Sequence, residues 1–170
     1  MILPILSTAR LSLRPLEETD DHFIYSLRSN QQVNTYLDRQ PPTQIEEARA
    51  FIKKISDSIA DNKSYYWGIA LKEPCSMIGT ICLWNLSEDR RTAEIGYELH
   101  PDFQGNGYMN EAIGEVIAYV YENGFTILKA YTHKDNDAST RLLLKHGFVL
   151  QEDRKDPENA DHLIFSLNRI

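Results

Sequence analysis

Long apolar runs are absent from this 170-residue chain, and no stretch approaches the ~20 residues that a membrane-spanning helix requires. Cysteine is scarce: Cys75 and Cys82 stand in apolar stretches without C-x-x-C spacing. That argues against a disulfide framework or thiolate zinc site and fits a reducing cytoplasm. The histidines His22, His100, His133, His146 and His162 are scattered with no H-x-x-x-H pair, so no metal site is expected. Basic clusters are lacking as well. Lys and Arg number 18 against 25 Asp and Glu, a formal charge of −7. Nucleic acid, whose phosphates demand cations, is therefore not the expected partner, and cationic amines are weakly favoured. The opening MILPILSTAR has no basic leader and no cleavage pattern, and it reads as the lead-in to a strand. There is no internal repeat, no linker, and neither common nucleotide fingerprint, G-x-x-x-x-G-K-[ST] or G-x-G-x-x-G.

What remains is ordinary globular composition, 42% apolar and 25% charged, enough for one domain over residues 1–170 with a real core. ARLSLRPL alternates, with Leu11 and Leu13 on one side, and predicts a strand ending at Pro15. ETDDHFIYSLRSN predicts a helix with acids in its first turn, where the helix dipole favours them. PPTQIEEARAFIKKISDSIADN is the clearest helix, with Ile45, Ala48, Ile52, Ile55 and Ile59 at helical spacing and Thr43 with Glu46 as a capping box. SYYWGIALK (64–72), SMIGTICLWNL (76–86) and TAEIGYELH (92–100) predict an antiparallel meander. A helix follows, carrying Met109, Ala112, Ile113, Val116, Ile117 and Val120 and stopped by Gly124. Then come a strand at 126–133, a short helix at 138–146, a strand at 148–153 and a last alternating strand, DHLIFSLNRI. This order is α+β: a single mixed sheet flanked by helices.

The feature closest to chemistry is QGNGYM, Gln104 to Met109, directly before a helix. The first turn of a helix leaves its N–H groups unpaired, and glycines let an anion approach the backbone closely. Asn106-Gly107 is also a common turn dipeptide, so the loop by itself leaves two readings open, a turn or a phosphate cradle.

Its neighbourhood decides for the cradle. TAEIGYELHP, QGNGYM, NEAIGEVIAYV, LKAYTH and NDASTRLLLKHGF, in that order, resemble the GNAT superfamily of N-acetyltransferases. TARLSLRPLEETD narrows the resemblance to the RimJ/RimL-type ribosomal-protein N-terminal acetyltransferases. It extends from Arg10 to about Leu167. It implies a GNAT fold, whose mostly antiparallel sheet splays apart to admit the pantetheine arm of acetyl-CoA. Glu98, Leu99 and His100 would pair with that arm through the backbone. Gln104, Gly105, Asn106, Gly107, Tyr108 and Met109 would hold the pyrophosphate, and Asn136 the pantetheine amide. Two positions depart from the family pattern. Met109 stands where Gly or Ala is usual, and Asn106 where a basic residue often stands, so the phosphates would lean on backbone and dipole.

Acetyl transfer to an amine needs a base, a polarised carbonyl and a proton for the departing thiolate. Alternation puts Glu94, Gly96 and Glu98 on one strand face and Ile95, Tyr97 and Leu99 on the other. Glu94 is the expected base, matching the glutamate of the family's histone-acetylating branch, with Glu98 as its substitute. Backbone N–H groups near Glu98 and Leu99 would serve the oxyanion. Relatives often place a thiolate-protonating tyrosine where this chain has Leu143; Ser139 is the hydroxyl expected in its stead, although a helix-start serine also caps N–H groups. Tyr36, Trp84 and Asn85 are the expected acceptor contacts. The expected protein is a cytoplasmic transferase using acetyl-CoA and no metal, monomeric or homodimeric, acting on a protein N-terminus or a small amine. A non-catalytic acyl-CoA sensor and a plain interaction domain are the alternatives.

Overall fold

A computed structural model describes residues 2–169. Eight strands form one sheet: β1 (Leu6–Ser7), β2 (Leu11–Arg14), β3 (Tyr65–Leu71), β4 (Ser76–Trp84), β5 (Thr92–Leu99), β6 (Ile127–His133), β7 (Val149–Leu150) and β8 (His162–Asn168). The helices are α1 (Asp21–Ser29), α2 (Ile45–Ala60), α3 (Tyr108–Glu122) and α4 (Asp137–Lys145). Across the sheet the order is β1-β2-β3-β4-β5-β6-β8-β7. Every neighbouring pair is antiparallel except β5 and β6.

β3 is buried at every position because helices cover both sides of the sheet. Tyr65 and Trp67 meet Tyr119 of α3 edge-on, at 6.0 and 5.6 Å between ring centroids, whereas Tyr66 meets Phe51 of α2 at 5.8 Å. Side chains alternate along a strand, so α3 and α2 lie on opposite faces. Val116, Val120, Trp67, Ile69 and Leu83 are completely buried on this framework.

Several local expectations shift. Leu6–Ser7 is itself a strand, pairing with Leu13 and Ser12. The cap of α2 lies one residue later than the T-x-x-E reading. The Glu47 carboxylate accepts from the N–H groups of Thr43 (2.7 Å) and Gln44 (2.9 Å), while Glu46 is exposed. Helix α1 starts after a short turn at Glu18–Asp20, and its acids do more than face a dipole. Asp20 takes a two-pronged contact from Arg14 at 2.8 Å, and Asp21 accepts from Arg49 of α2 at 2.7 Å. The expected strand at 148–153 contracts to Val149–Leu150, since the charged residues that follow are exposed on the sheet edge. Cys75 is exposed, unlike Cys82, because its apolar stretch ends in a turn.

Candidate active site

The two parallel strands hold together only briefly. Thr92, Ala93 and Glu94 pair with Ile127, Leu128 and Lys129, yet β5 continues to Leu99 and β6 to His133. Beyond Glu94 the sheet is therefore open. Register carries the β5 side chains into two cavities there. Trp84 lies opposite Glu94, Cys82 opposite Gly96 and Thr80 opposite Glu98, and Tyr66 opposite Cys82. These residues share the α2 face and line a cavity of about 520 Å³ with Arg28, Tyr36 and Phe51. Gly96 clears its floor: a Cβ there would stand 3.3 Å from the Cys82 sulfur.

A second cavity, about 580 Å³, is lined by Tyr97, Glu98, Leu99, Gln104, Gly105, Gly107, Tyr108, Met109, Asn136 and Ser139, among others. Both volumes suit small-molecule binding, and Tyr36, Tyr97, Glu98, Asn136 and Ser139 line both cavities. At the far end Gly105 and Gly107 have φ of +78° and +79°, a conformation costly for other residues. Gly107 is the residue at which α3 begins. The N–H groups of Tyr108, Met109 and Asn110 have no intrahelical acceptor, and all three residues border this cavity. A Cβ at Gly105 would meet open space. The chemistry and shape suit a diphosphate.

The loop is clamped from behind. The Arg10 Nη1 donates to the Asn106 carbonyl at 3.0 Å, and its guanidinium lies 4.4 Å over the Tyr108 ring. Glu111, in the first turn of α3, accepts from the Arg10 N–H (2.8 Å), Arg10 Nε (2.7 Å) and the Thr8 hydroxyl. Two expected cofactor residues do not line the cavity. His100 spends its N–H on the Ile78 carbonyl at 2.8 Å. The alternation of an antiparallel ladder then turns the N–H groups of Tyr97 and Leu99, not Glu98 or His100, toward the opening. Asn106 folds its amide back onto the carbonyls of Phe103 and Gln104, at 3.4 and 3.2 Å.

The two glutamates differ sharply. Glu98 is held by both guanidinium nitrogens of Arg39, one contact at 3.1 Å, and both side chains are largely buried. Glu94 has a single weak partner, Asn85 Nδ2 at 3.4 Å. Desolvation, more than any neighbour, pushes its carboxyl above the ordinary 4.5. Of the expected acceptor contacts, Tyr36 and Trp84 line the first cavity. Asn85 does not, and touches it only through Glu94.

On the other face the Ser139 hydroxyl lies 2.8 Å from the Tyr97 hydroxyl. Asn136, not Ser139, caps α4, its Oδ1 accepting the Ser139 N–H at 3.2 Å, so the serine hydroxyl is not spent on the cap and meets Tyr97 beside the cleft. Burial raises the Tyr97 phenol to about 12 and the Cys82 thiol to about 12. Tyr97, Arg28 and Arg39 were not legible as site residues: a tyrosine alternating inward and arginines in helical or loop segments look like core and surface. Among the described residues no group of His, Cys, Asp and Glu forms a metal site, and no helix is long and apolar enough to cross a membrane.

A mixed sheet that parts between parallel strands, beside a glycine loop opening a helix, is the arrangement expected from the resemblance to the acyl-CoA-dependent acyltransferases. A family model described as an acetyltransferase (GNAT) domain matches residues 10–149, and the chain belongs to this family of N-acetyltransferases. It is 36% identical over 148 residues to the uncharacterized N-acetyltransferase YoaA of Bacillus subtilis (strain 168), covering 86% of this chain and 84% of that one. A spermidine N(1)-acetyltransferase of Vibrio cholerae is 28% identical over 146 residues, covering 83% and 80%. Among solved structures, RimL, a ribosomal L7/L12 alpha-N-protein acetyltransferase in complex with coenzyme A, superposes with a TM-score of 0.84. It is 19% identical and covers 97% of this chain and 98% of that one, a likeness of fold.

Proposed function

We propose that the protein acetylates a primary amine directly from acetyl-CoA in a ternary complex, the acceptor being a protein N-terminal α-amine or a small amine. One observation carries this reading: Glu94, half-buried and only weakly hydrogen-bonded, stands on the last paired rung before the sheet opens. A carboxyl pushed upward by desolvation is a better base at neutral pH than an exposed one. Glu98, locked to Arg39, is the weaker candidate.

Acetyl-CoA supplies the activated thioester. The N–H groups of Gly105, Gly107, Tyr108 and Met109, at the positive end of α3, would hold its diphosphate. Tyr97 and Leu99 would offer their open-side backbone to the pantetheine, like an added strand. The acceptor loses its proton to Glu94, through water where the two do not touch. The same backbone N–H groups favour negative charge on the carbonyl oxygen. Ser139 directs its hydroxyl proton to the departing sulfur, with the Tyr97 hydroxyl behind it as a donor that burial keeps protonated. Cys82, its thiol held near 12 by burial, is unsuited to carry the acetyl group, which favours direct transfer.

Calorimetric titration with acetyl-CoA, followed by thiol-release assays on an amine panel, tests the reading. Micromolar binding, turnover of at least one amine, and a loss of about 100-fold or more in kcat for Glu94→Gln support it. Binding without turnover of any amine points to a non-catalytic acyl-CoA sensor. No binding at millimolar acetyl-CoA refutes both.

A further inference from the structure

Among the described residues, one cation on the acceptor-side cavity has no direct ion-pair partner. The central carbon of the Arg28 guanidinium lies over the Phe51 ring, 3.8 Å from its centroid, and the side chain borders the cavity that also holds Glu94. A contact with the ring uses none of the five N–H donors of a guanidinium. Among the described residues, no side chain or carbonyl accepts a hydrogen bond from them and no carboxylate pairs with them.

Most other ionisable groups around the cavity have a partner. Both oxygens of Glu98 are taken by Arg39. His162 faces Asp156 at 2.7 Å, and His133 lies between Asp135 and Asp161, at 3.7 and 3.9 Å. Glu94 is turned to Asn85. Arg28, like Glu94, has no charged partner at hydrogen-bond distance among the described residues, and polar groups taken out of water normally find one. Burial, and then the neighbouring Arg39 cation, lower the Arg28 pKa from the ordinary value, with the nearby Glu98 carboxylate acting in the opposite direction. The phosphates of coenzyme A do not answer this need, because the glycine loop that suits them borders the other cavity and Arg28 does not.

Resting on the acetyltransferase reading above, we infer that the acceptor bears an anionic carboxylate or phosphate besides its amine, and that Arg28 seats that anion while the amine faces Glu94. A planar fork of donors stacked on an aromatic ring suits either oxyanion. A polyamine, with a second cation where the anion belongs, is disfavoured. The expectation of cationic substrates drawn from the net charge is thereby qualified locally: the chain is acidic, but its acceptor pocket presents one guanidinium whose donors no protein group among the described residues takes.

Matched acceptors test this. We would compare γ-aminobutyrate with γ-aminobutyramide, Ser-Asp-amide with Ser-Asn-amide, and O-phosphoethanolamine with ethanolamine, with spermidine as the polyamine. The arms separate a free carboxylate, a peptide side chain and a phosphate as sources of the anion. In at least one pair the acidic member should exceed its neutral partner about tenfold to a hundredfold in kcat/KM, through KM, the range for a hydrogen bond between charged groups. Arg28→Gln should collapse that preference, Arg28→Lys should restore part of it, and neither should change acetyl-CoA affinity. Independently of turnover, the N-acetylated acidic member should bind the coenzyme A-saturated protein more tightly than the N-acetylated neutral one, and lose that advantage in Arg28→Gln. Product binding of this kind with no turnover of any amine would condemn the transferase reading and leave the anion seat standing. Equal binding and turnover within every pair, a preference for spermidine, or an acidic preference that survives Arg28→Gln would overturn the inference.

Discussion

Removing the carboxylate of Glu111 should loosen the glycine loop from behind without touching the cleft. This carboxylate accepts from the Arg10 main-chain N–H at 2.8 Å, from Arg10 Nε at 2.7 Å and from the Thr8 hydroxyl, joining the start of α3 to the turn before β2. The Arg10 side chain is 45% exposed against 18% for Glu111, so water replaces much of the ion pair, which is worth roughly 0–1 kcal/mol. The main-chain and hydroxyl donors point at a sheltered carboxylate, and together they contribute about 2–3 kcal/mol. At roughly 2–4 °C per kcal/mol for a chain of this size, Glu111→Ala should lower the melting temperature by about 5–10 °C. Glu111→Gln, which keeps an acceptor oxygen, should lose about half as much. Arg10 also holds the Asn106 carbonyl and covers Tyr108, so acetyl-CoA should bind about threefold to tenfold more weakly to the alanine variant. The stability effect has a defined pH sign. Burial pushes the Glu111 carboxyl up, but its hydrogen bonds from Thr8 and Arg10 outweigh this and hold it below the ordinary 4.5. Its contribution is thus present above pH 4.5 and lost as pH falls through the lower folded value. Calorimetric melting at pH 7 and at pH 3–4, with an acetyl-CoA titration, reads all of this. A Glu111→Ala protein melting within 1 °C of the parent at pH 7 would refute the reasoning.

Glu94→Gln should do the opposite to stability. Desolvation raises the Glu94 carboxyl above 4.5 in the fold, so the charged form is a cost at neutral pH. The variant should melt higher at pH 7 and converge with the parent below pH 4.5; a lower melting point at pH 7 would contradict this. Tyr97→Phe removes the hydroxyl 2.8 Å from Ser139 and should reduce kcat about tenfold, with the KM of the amine unchanged. An unaltered kcat would exclude the relay. Thiol titration of the folded protein at pH 8 should find Cys75 fast and Cys82 protected until unfolding, because burial holds the Cys82 thiol near 12. Two fast thiols would reopen a covalent route.

The parts of this molecule that could be read from one dimension are those set by period and by order along the chain. Helical spacing marked α2 and α3, strand alternation put Glu94 and Glu98 on a face apart from Tyr97, and the glycines before α3 marked a helix start whose N–H groups are free. Each depends on residues within a few positions of one another. The misplaced features depend on distant partners. The T-x-x-E pattern pointed to Thr43 and Glu46, but Gln44 and Glu47 hold the cap, with the Glu47 carboxylate accepting from the N–H groups of both Thr43 and Gln44. His100 reads like its neighbours in the strand, yet the ladder to Ile78 turns its N–H away from the opening. Ser139 looks like a cap until Asn136 is seen to be one.

Charge carries the same lesson into function. Counted along the chain, 25 acids against 18 bases suggest a protein that attracts cations. Counted in the cleft, the balance depends on which acids are already taken. Glu98 is matched by Arg39, from a segment 59 residues earlier, and Asp156 and Asp161 face histidines. Glu94 is needed for the proton. Once those pairs are removed, Arg28 and Glu94 are the two charges that an incoming acceptor meets. The neighbour of Arg28 in space is Phe51, on the next helix, which no pattern in SLRSN announces. Net charge sets how the molecule as a whole is approached, but the groups left unpaired locally set what the pocket prefers, and here they are a guanidinium and a carboxylate on one cavity.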